Sequence, residues 1–250
     1  MKAIAYLSFA ITAYLLFLLE YLYFAGFVGT VAVPVSIDGP RPAAGTSVVD
    51  LLVNLGLLLL FGLQHSVMAR PWFKRGWTRY VPETIERSVY VLASVVVLGL
   101  LMALWRPMPM VVWNISHPAA RGVMWGLFAI GWLGVPAVTL LINHFDLFGL
   151  RQTWRAWRRQ PQDQIPFQVR SLYRFVRHPL YLAWGLAFWA TPTMTVGHLL
   201  FAVSMTVYML IAAQIEERDL VTHFGAAYRD YQARVPMFVP RRPRLSSPSL

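Results

Sequence analysis

The stretch SLYRFVRHPLYLAW at residues 171–184, followed by IAAQIEERDLVTHFGAAYRDYQARVPMFVP at residues 211–240, decides how this chain is interpreted. Proline is favoured in the first turn of a helix, where its missing N–H is not needed, so we predict an apolar helix that begins at Pro179. A second apolar helix would return the chain to the acidic pair Glu216-Glu217. These charged and aromatic segments would then meet at one depth, as a cofactor site at the lipid–water boundary.

The composition is that of an integral membrane protein. The chain has 250 residues, of which 57% are apolar and only 13% are charged, whereas a soluble domain carries about 25% charged residues. Long uncharged runs indicate membrane-spanning helices, so we predict an all-α polytopic membrane protein with a single embedded domain over residues 1–250. Its segments, about five in number, are residues 4–33, 48–69, 88–105, 122–142 and a helical hairpin at 179–213. Each arm of the hairpin, 179–191 and 196–213, is short for a full crossing of about 20 residues.

Positive charge is concentrated in alternate loops. The formal net charge is +11, and Lys and Arg are abundant at 70–87, at 143–177 and in the tail, whereas the 34–47 and 106–121 loops carry few of them. Because cytoplasmic loops are enriched in Lys and Arg, we predict that both basic loops and both termini are cytoplasmic. A nucleic-acid-binding protein would cluster these charges on one soluble face, so we exclude nucleic acid as a partner. The absence of cysteine excludes disulfides and thiolate metal sites.

The pair Glu216-Glu217 has two interpretations. If the second helix ends there, two acids at its C-terminus are unfavourable with the helix dipole unless a cation or a hydroxyl-bearing ligand meets them. The alternative is a solvated helix end in which Arg218 forms a salt bridge, and the residues alone leave both open. At the other end of the hairpin, the free N–H groups of the helix that begins at Pro179 suit a carboxylate or another polar ligand.

A set of spaced positions is shared with a known family. The positions are Tyr173, Arg177-His178-Pro179, Tyr181, Glu216-Glu217, Phe224-Gly225, Tyr228, Tyr231, Val235-Pro236 and Pro240. They resemble the isoprenylcysteine carboxyl methyltransferase family, which includes phospholipid methyltransferases. The resemblance implies an S-adenosylmethionine pocket at residues 171–240, largely closed to water, in which His178, Tyr181 and Glu217 contact the cofactor. The full predicted cofactor-binding set is Tyr173, Arg174, Arg177, His178, Pro179, Tyr181, Glu216 and Glu217. Carboxylates suit the ammonium and ribose hydroxyls of this cofactor, and arginines with helix N–H groups suit its carboxylate.

Two further segments narrow the resemblance. Residues 62–70, GLQHSVMAR, and residues 143–152, NHFDLFGLRQ, resemble the methanethiol S-methyltransferases, bacterial membrane enzymes that convert methanethiol to dimethyl sulfide. The front half also resembles NnrU-like proteins. The resemblance implies a small volatile thiol as substrate, membrane lipids as surroundings and the bacterial inner membrane as location. It implies no metal and no obligate protein partner.

Other functions stay open at this level. The acceptor could be hydrogen sulfide, a prenylated cysteine carboxylate or a lipid amine. A non-enzymatic NnrU-like membrane protein is a further alternative. A transporter should show repeats or broken helices in both halves, and the sequence has no such pattern.

Four residues of the front half are predicted to act in catalysis. An ionisable group inside a span is a functional candidate, and we assign proton acceptance to His65; the alternative is a histidine hydrogen-bonded to a neighbouring helix. Asn143 and Arg70 would orient the thiol and the pocket, and Tyr80 would contact the substrate. Asn143 is also a common helix C-cap.

A metal site is the less favoured reading of the front-half histidines. His65, His144 and Asp146 are metal-ligating types, but no tight ligand motif joins them. We expect Asp146 to pair with Arg151 or Arg70 instead.

Overall fold

The chain consists of helices that run back and forth between two faces. The computed structural model describes residues 1–39, 47–161 and 167–239; Pro240 of the sequence motif lies outside the described residues. The elements are α1 (Lys2–Gly29), α2 (Val48–Ala69), α3 (Pro71–Trp77), α4 (Glu83–Leu104), β1 (Val111–Asn114), α5 (Pro118–Ile142), α6 (His144–Leu147), α7 (Leu150–Trp157), a 3₁₀ turn (Ser171–Arg174), α8 (Pro179–Trp189), β2 (Thr193–Thr195), α9 (Val196–Phe224) and α10 (Ala226–Arg234). Helices α1, α2, α4, α5 and α9 are each long and apolar enough to cross a membrane, which confirms the predicted all-α polytopic membrane fold.

The apolar hairpin differs from its prediction. Helix α8 begins at Pro179, as expected, and its 11 residues span about 16 Å. Helix α9 does not end near residue 213 but runs for 29 residues to Phe224, so the expectation of a short second arm was wrong. The residues that follow the apolar run favour helix, and polarity alone does not end a helix. Gly225, with a φ of 58°, ends it instead, and the acidic pair therefore lies inside α9 and not at its C-terminus.

The connections sort onto opposite faces of the bundle. Strands β1 and β2 form an antiparallel ribbon, so the α4–α5 and α8–α9 connections meet on one face. On the other face, Arg70 at the end of α2 pairs with Asp219 of α9 at 2.8 Å. Gly149, which has a φ of 84°, lies against the start of α4, where a Cβ atom would stand 2.5 Å from the hydroxyl of Ser88. The two basic loops and the C-terminal helices thus share one face.

Interlocking aromatic rings form the core between α1, α5, α8 and α9. The ring centroids of Phe24 and Trp132 are 5.3 Å apart, and those of Phe188 and Phe201 are 5.0 Å apart, both in edge-to-face geometry. Helices α5 and α8 approach closely because Gly131 has no side chain: a Cβ atom there would stand 2.4 Å from the backbone nitrogen of Ala187. Small residues at such contacts are the usual way in which membrane helices pack.

Pro136 interrupts the hydrogen bonding of α5 beside this core. Proline has no N–H, so the carbonyl of Trp132, four residues earlier, has no partner within its own helix. The hydroxyl of Tyr21 in α1 donates a hydrogen bond to this oxygen. Since an unpaired carbonyl inside a bilayer is costly, Tyr21 compensates for the proline in the neighbouring helix.

Candidate active site

The carboxylate of Glu217 is the centre of the C-terminal cluster. It accepts hydrogen bonds from Arg177 at 2.6 and 3.2 Å, from Nε2 of His178 at 3.0 Å and from the amide of Gln232 at 2.8 Å. These partners belong to the corner before α8 and to α10, so one side chain of α9 joins three parts of the chain. The Arg177 and Glu217 side chains are only 12% and 10% exposed, which makes this a buried ion pair. Arg177, His178 and Glu217, which were predicted to contact the cofactor, thus also stabilise the fold of the site.

The segment after α10 folds back beneath the same corner. The backbone N–H groups of Arg177 and His178 donate to the carbonyls of Pro236 and Met237 at 2.9 and 3.2 Å. The ring of Phe238 lies against that of His178, with centroids 5.7 Å apart. Residues 236–238 therefore close one side of the cluster.

Glu216 differs from its neighbour in exposure. Its side chain is 47% exposed and accepts one hydrogen bond from the hydroxyl of Tyr181 at 3.1 Å. The rings of Tyr181 and His178 stack in parallel, with centroids 5.2 Å apart and an interplanar angle of 6°. An accessible carboxylate beside a stacked pair of rings suits a ligand that carries a cation or hydroxyl groups.

Tyr173 and Arg174 lie in the 3₁₀ turn next to this cluster. The carbonyl of Tyr173 accepts a hydrogen bond from the hydroxyl of Tyr231 at 2.7 Å. Burial, followed by the charge of Glu216, raises the pKa of Tyr173 well above its ordinary value, so its phenol stays protonated at neutral pH. Arg174 is exposed, which leaves its guanidinium available to an anionic group.

Helix α2 lines up along α9 through residues spaced four apart. A Cβ atom at Gly62 would stand 3.1 Å from the ring of Tyr208. The hydroxyl of Ser66 donates to the hydroxyl of Tyr208 at 3.3 Å, and Arg70 pairs with Asp219. The 62–70 segment thus brings α2 to the acidic end of α9, and the expected pairing of Arg70 with Asp146 was wrong.

His65 forms hydrogen bonds to α4, and the surrounding hydrogen-bond network assigns its tautomer. The hydroxyl of Ser94 donates to the carbonyl of Tyr90 at 3.0 Å, so its oxygen accepts from Nδ1–H of His65 at 3.2 Å. Nε2 is then the acceptor, and it receives the hydroxyl of Tyr90 at 2.9 Å. This hydroxyl also lies 3.3 Å from the carbonyl of His65, a longer contact. Hydrogen bonding to a neighbouring helix, the alternative weighed for His65, is therefore present, and it leaves Nε2 in the form that accepts a proton.

Tyrosines connect the two clusters. Tyr181, Tyr208 and Tyr90 lie close enough to interact electrostatically with one another, and Tyr181 and Tyr208 do so with Glu216. The guanidinium of Arg87 stands 5.5 Å from the centroid of the Tyr90 ring. The predicted proton acceptor and the predicted cofactor-binding residues thus share one region between α2, α4, α8 and α9.

Two predicted residues lie apart from this region. The side chain of Tyr80 is 84% exposed in the connection before α4. Asn143 is the C-cap of α5, which confirms the alternative role considered for it in the sequence. It lines a cavity beside α1 and α7. Across the described ranges, no three His, Asp or Glu side chains come together in a way that could hold a metal ion.

Sequence reasoning missed Tyr90 and Gln232. Tyr90 and Ser94 are polar residues four apart in the apolar run of α4, a spacing that places both on one helix face, so a signal was present. Gln232 stands in a polar helix where nothing distinguishes it from its neighbours.

Known proteins resemble this chain over the His65 cluster and over the Glu217 cluster. A family described as "Protein of unknown function (DUF1295)" matches residues 45–235. Methanethiol S-methyltransferase of Mycobacterium tuberculosis is 52% identical over 241 residues, which are 96% of this chain and 98% of that protein. Methanethiol S-methyltransferase 2 of Bradyrhizobium diazoefficiens is 51% identical over 95% of this chain and 91% of its own length. The chain belongs to the methanethiol S-methyltransferase family.

The similarity to the methanethiol S-methyltransferase family extends over nearly the whole chain, so it includes the His65 cluster as well as the Glu217 cluster. A more distant relative is Nurim of Xenopus laevis, which is 31% identical over 175 residues, 67% of this chain and 61% of Nurim. No solved structure matches the chain. Membership of the methanethiol S-methyltransferase family thus rests on sequence similarity across the two halves of the candidate site.

Proposed function

We propose that this chain methylates methanethiol to dimethyl sulfide with S-adenosylmethionine as the methyl donor. The observation that supports this most strongly is the 52% identity to a methanethiol S-methyltransferase over 96% of the chain. The geometry supports it independently, because an accessible carboxylate and a histidine in proton-accepting form share one region. The predicted basic face would be cytoplasmic, in a bacterial inner membrane, with both termini on that side.

The residues of the C-terminal cluster fit the proposed cofactor in chemical type. Glu216 and the Tyr181 hydroxyl offer an acceptor and a donor to ammonium or ribose groups, and Arg174 offers a cation to a carboxylate. Glu217 already accepts four hydrogen bonds, so it holds the corner at His178 in place and leaves Glu216 as the freer acid. When bound, S-adenosylmethionine supplies an electrophilic methyl group, and the combination of a thiolate with a sulfonium is favoured in a low-dielectric site.

The chain itself must then take up the proton of the thiol. Since the thiolate is the stronger nucleophile, removal of this proton activates the substrate. Nε2 of His65 is covered by the hydroxyl of Tyr90, so the thiol proton passes to the Tyr90 oxygen while Tyr90 passes its own proton to Nε2. Nδ1–H of His65 keeps its hydrogen bond to the oxygen of Ser94 throughout. Tyr90 gains one proton and loses another, so its neutral phenol is restored. His65 and Tyr90 act as one base in this proposal.

The proposed function is tested with membranes from cells that express the chain. The membranes are incubated with methanethiol and S-adenosylmethionine labelled in its methyl group, and label is counted in the headspace as dimethyl sulfide. We expect volatile label that depends on added methanethiol. Label that enters lipid or protein fractions instead would exclude this function, and labelled methanethiol formed only from added hydrogen sulfide would identify the other thiol as the substrate.

The proton relay has its own test. Tyr90→Phe removes only the hydroxyl and should lower kcat about a hundredfold, the scale of general base catalysis, while cofactor affinity is unchanged. Tyr23→Phe is the matched control, because its hydroxyl bonds to the carbonyl of Val35, far from His65 in the fold. Full turnover by Tyr90→Phe would remove Tyr90 from the mechanism. Tyr80→Phe tests the predicted substrate contact in the same assay, and unchanged KM would remove Tyr80.

A further inference from the structure

A cavity of about 400 Å³ lies outside the proposed active site, where α1 meets the α5–α6 corner and α7. Its walls include the apolar side chains of Leu7 and Ile11 from α1 and of Leu150 from α7. Its polar lining comes from Asn143 and Arg151. The cavity is therefore built by the 143–152 segment, most of which the proposed mechanism does not use.

The two polar side chains of this cavity have no partner among the residues that the structure describes. Among the residues that the structure describes, the guanidinium of Arg151 forms neither a hydrogen bond nor an ion pair, although the side chain is half-buried. The same holds for the side-chain amide of Asn143. The expected pairing of Asp146 with Arg151 was therefore wrong. A half-buried guanidinium without a protein acceptor is available to an oxygen-rich anion.

The cavity stands at the level of a membrane–water interface. Helix α7 follows the end of α5 after the single turn of α6, and its exposed rings, Trp154 and Trp157, lie 4.9 Å apart. The guanidinium of Arg158 is 5.2 and 5.0 Å from the centroids of these two rings. Tryptophan and arginine on a short helix that flanks a span are typical of an interfacial position.

Exposed apolar side chains surround the cavity. Ile11 is 44% exposed, Ile142 is 44% exposed and Phe145 is 54% exposed. In a membrane protein such side chains at a span end are covered by lipid tails. Residues 150–159 carry four arginines and no acid, so the charge next to this apolar surface is positive. The surroundings thus match a molecule with an apolar tail and an anionic head.

We propose that this cavity binds a phospholipid with an anionic headgroup. The phosphate lies between the guanidinium of Arg151 and the amide of Asn143, and an acyl chain lies along Leu7 and Ile11. Arginine binds phosphate oxygens through paired hydrogen bonds, and basic pockets between helices on the cytoplasmic side are known headgroup sites. The site is separate from the His65–Tyr90 pair, so it stands whether or not the proposed reaction is correct.

The test measures bound lipid on the purified full-length chain by native mass spectrometry from detergent. Phosphatidylglycerol and phosphatidylcholine with identical acyl chains are added in parallel, with and without excess inorganic phosphate. We expect preferential binding of phosphatidylglycerol. Arg151→Gln should lower its bound fraction about fivefold, the factor for one cation at a membrane surface. Arg75→Gln, an exposed arginine on α3 that changes the net charge equally, is the matched control and should have no effect.

A second variant tests the apolar part of the site. Leu7→Trp fills the cavity without a change of charge and should also displace phosphatidylglycerol. Equal losses from Arg151→Gln and Arg75→Gln would show attraction by net charge alone and overturn the proposal. Full displacement of the lipid by inorganic phosphate, or full binding to Leu7→Trp, would equally overturn it. Thermal unfolding of each variant confirms that it is folded, and lipid loss in a variant with an unchanged unfolding midpoint supports the site.

Discussion

Substitution of Glu217 should reduce stability far more than substitution of its neighbour Glu216. Glu217→Gln keeps the shape of the side chain but removes the charge that faces Arg177. Arg177 is 12% exposed and would keep only neutral acceptors, which are the new amide oxygen at position 217 and the carbonyls of Gln232 and Val235 at 3.0 and 2.6 Å. Glu216→Gln is a matched control, because this side chain is 47% exposed and accepts a single hydrogen bond from Tyr181.

The expected magnitude follows from burial. Removal of one partner of a buried ion pair costs about 3–5 kcal/mol, because it leaves the other charge without compensation. For a chain of this size, 1 kcal/mol corresponds to about 2–4 °C in the unfolding midpoint. Glu217→Gln should therefore lower the midpoint by roughly 10 °C. An exposed polar contact contributes about 0–1 kcal/mol, so Glu216→Gln should lower it by only about 2 °C.

The assay is thermal unfolding of the detergent-purified chain, followed by intrinsic fluorescence at one heating rate. Cofactor affinity is measured in parallel by calorimetry, where Glu216→Gln should weaken binding about tenfold while its unfolding midpoint stays near that of the unmodified chain. A double-mutant cycle with Arg177→Met isolates the pair itself. A midpoint for Glu217→Gln within about 2 °C of the unmodified chain would refute the reasoning, since the pair would then carry little of the stability of this corner.

Three further substitutions test other parts of the fold by the same unfolding assay. Gly131→Ala should cost about 1–3 kcal/mol, because its Cβ atom would meet the backbone of Ala187 at 2.4 Å. Gly126→Ala, on the same helix, is the control: its Cβ atom would have free space, so the substitution should be neutral. Equal effects of the two substitutions would contradict the close packing of α5 against α8. Burial lowers the pKa of His144 below its ordinary value of 6.5, so the unfolded state binds more protons and stability should fall as the pH drops below about 6.5. His144→Gln should flatten this dependence of stability on pH. An unchanged slope of stability against pH would exclude His144 as its source. Asn54→Leu leaves both backbone groups of Arg106 unpaired and should cost about 2–4 kcal/mol, and a midpoint that does not move would show that they find other partners.

The sequence predicts the membrane architecture well because it depends on averages over many residues. Long apolar runs locate α1, α2, α4 and α5 within a few residues. The position of Pro179 predicts the start of α8 because ring geometry restricts proline to few places in a helix. The charge asymmetry likewise indicates which loops share a face.

Single contacts could not be predicted in this way. The extension of α9 to Phe224 was missed because the apolar run ends before the helix does, and helix propensity continues through polar residues. The two adjacent acids are equivalent in sequence, but a rotation of about 100° per residue directs Glu217 inward to Arg177 and leaves Glu216 exposed. Asn143 has the residue type of a substrate contact. However, it lies at the end of α5, where it lines the cavity next to α1 and α7.

The hydrogen bond from Tyr21 to the carbonyl of Trp132 has a consequence for biogenesis. The two residues are 111 positions apart, so α1 is synthesised and inserted well before α5. Because Pro136 leaves a carbonyl of α5 without a partner in its own helix, the hydrogen bond from α1 stabilises α5 in lipid. We therefore expect α1 to assist the insertion of α5, and loss of the Tyr21 hydroxyl should appear first as a lower yield of inserted protein.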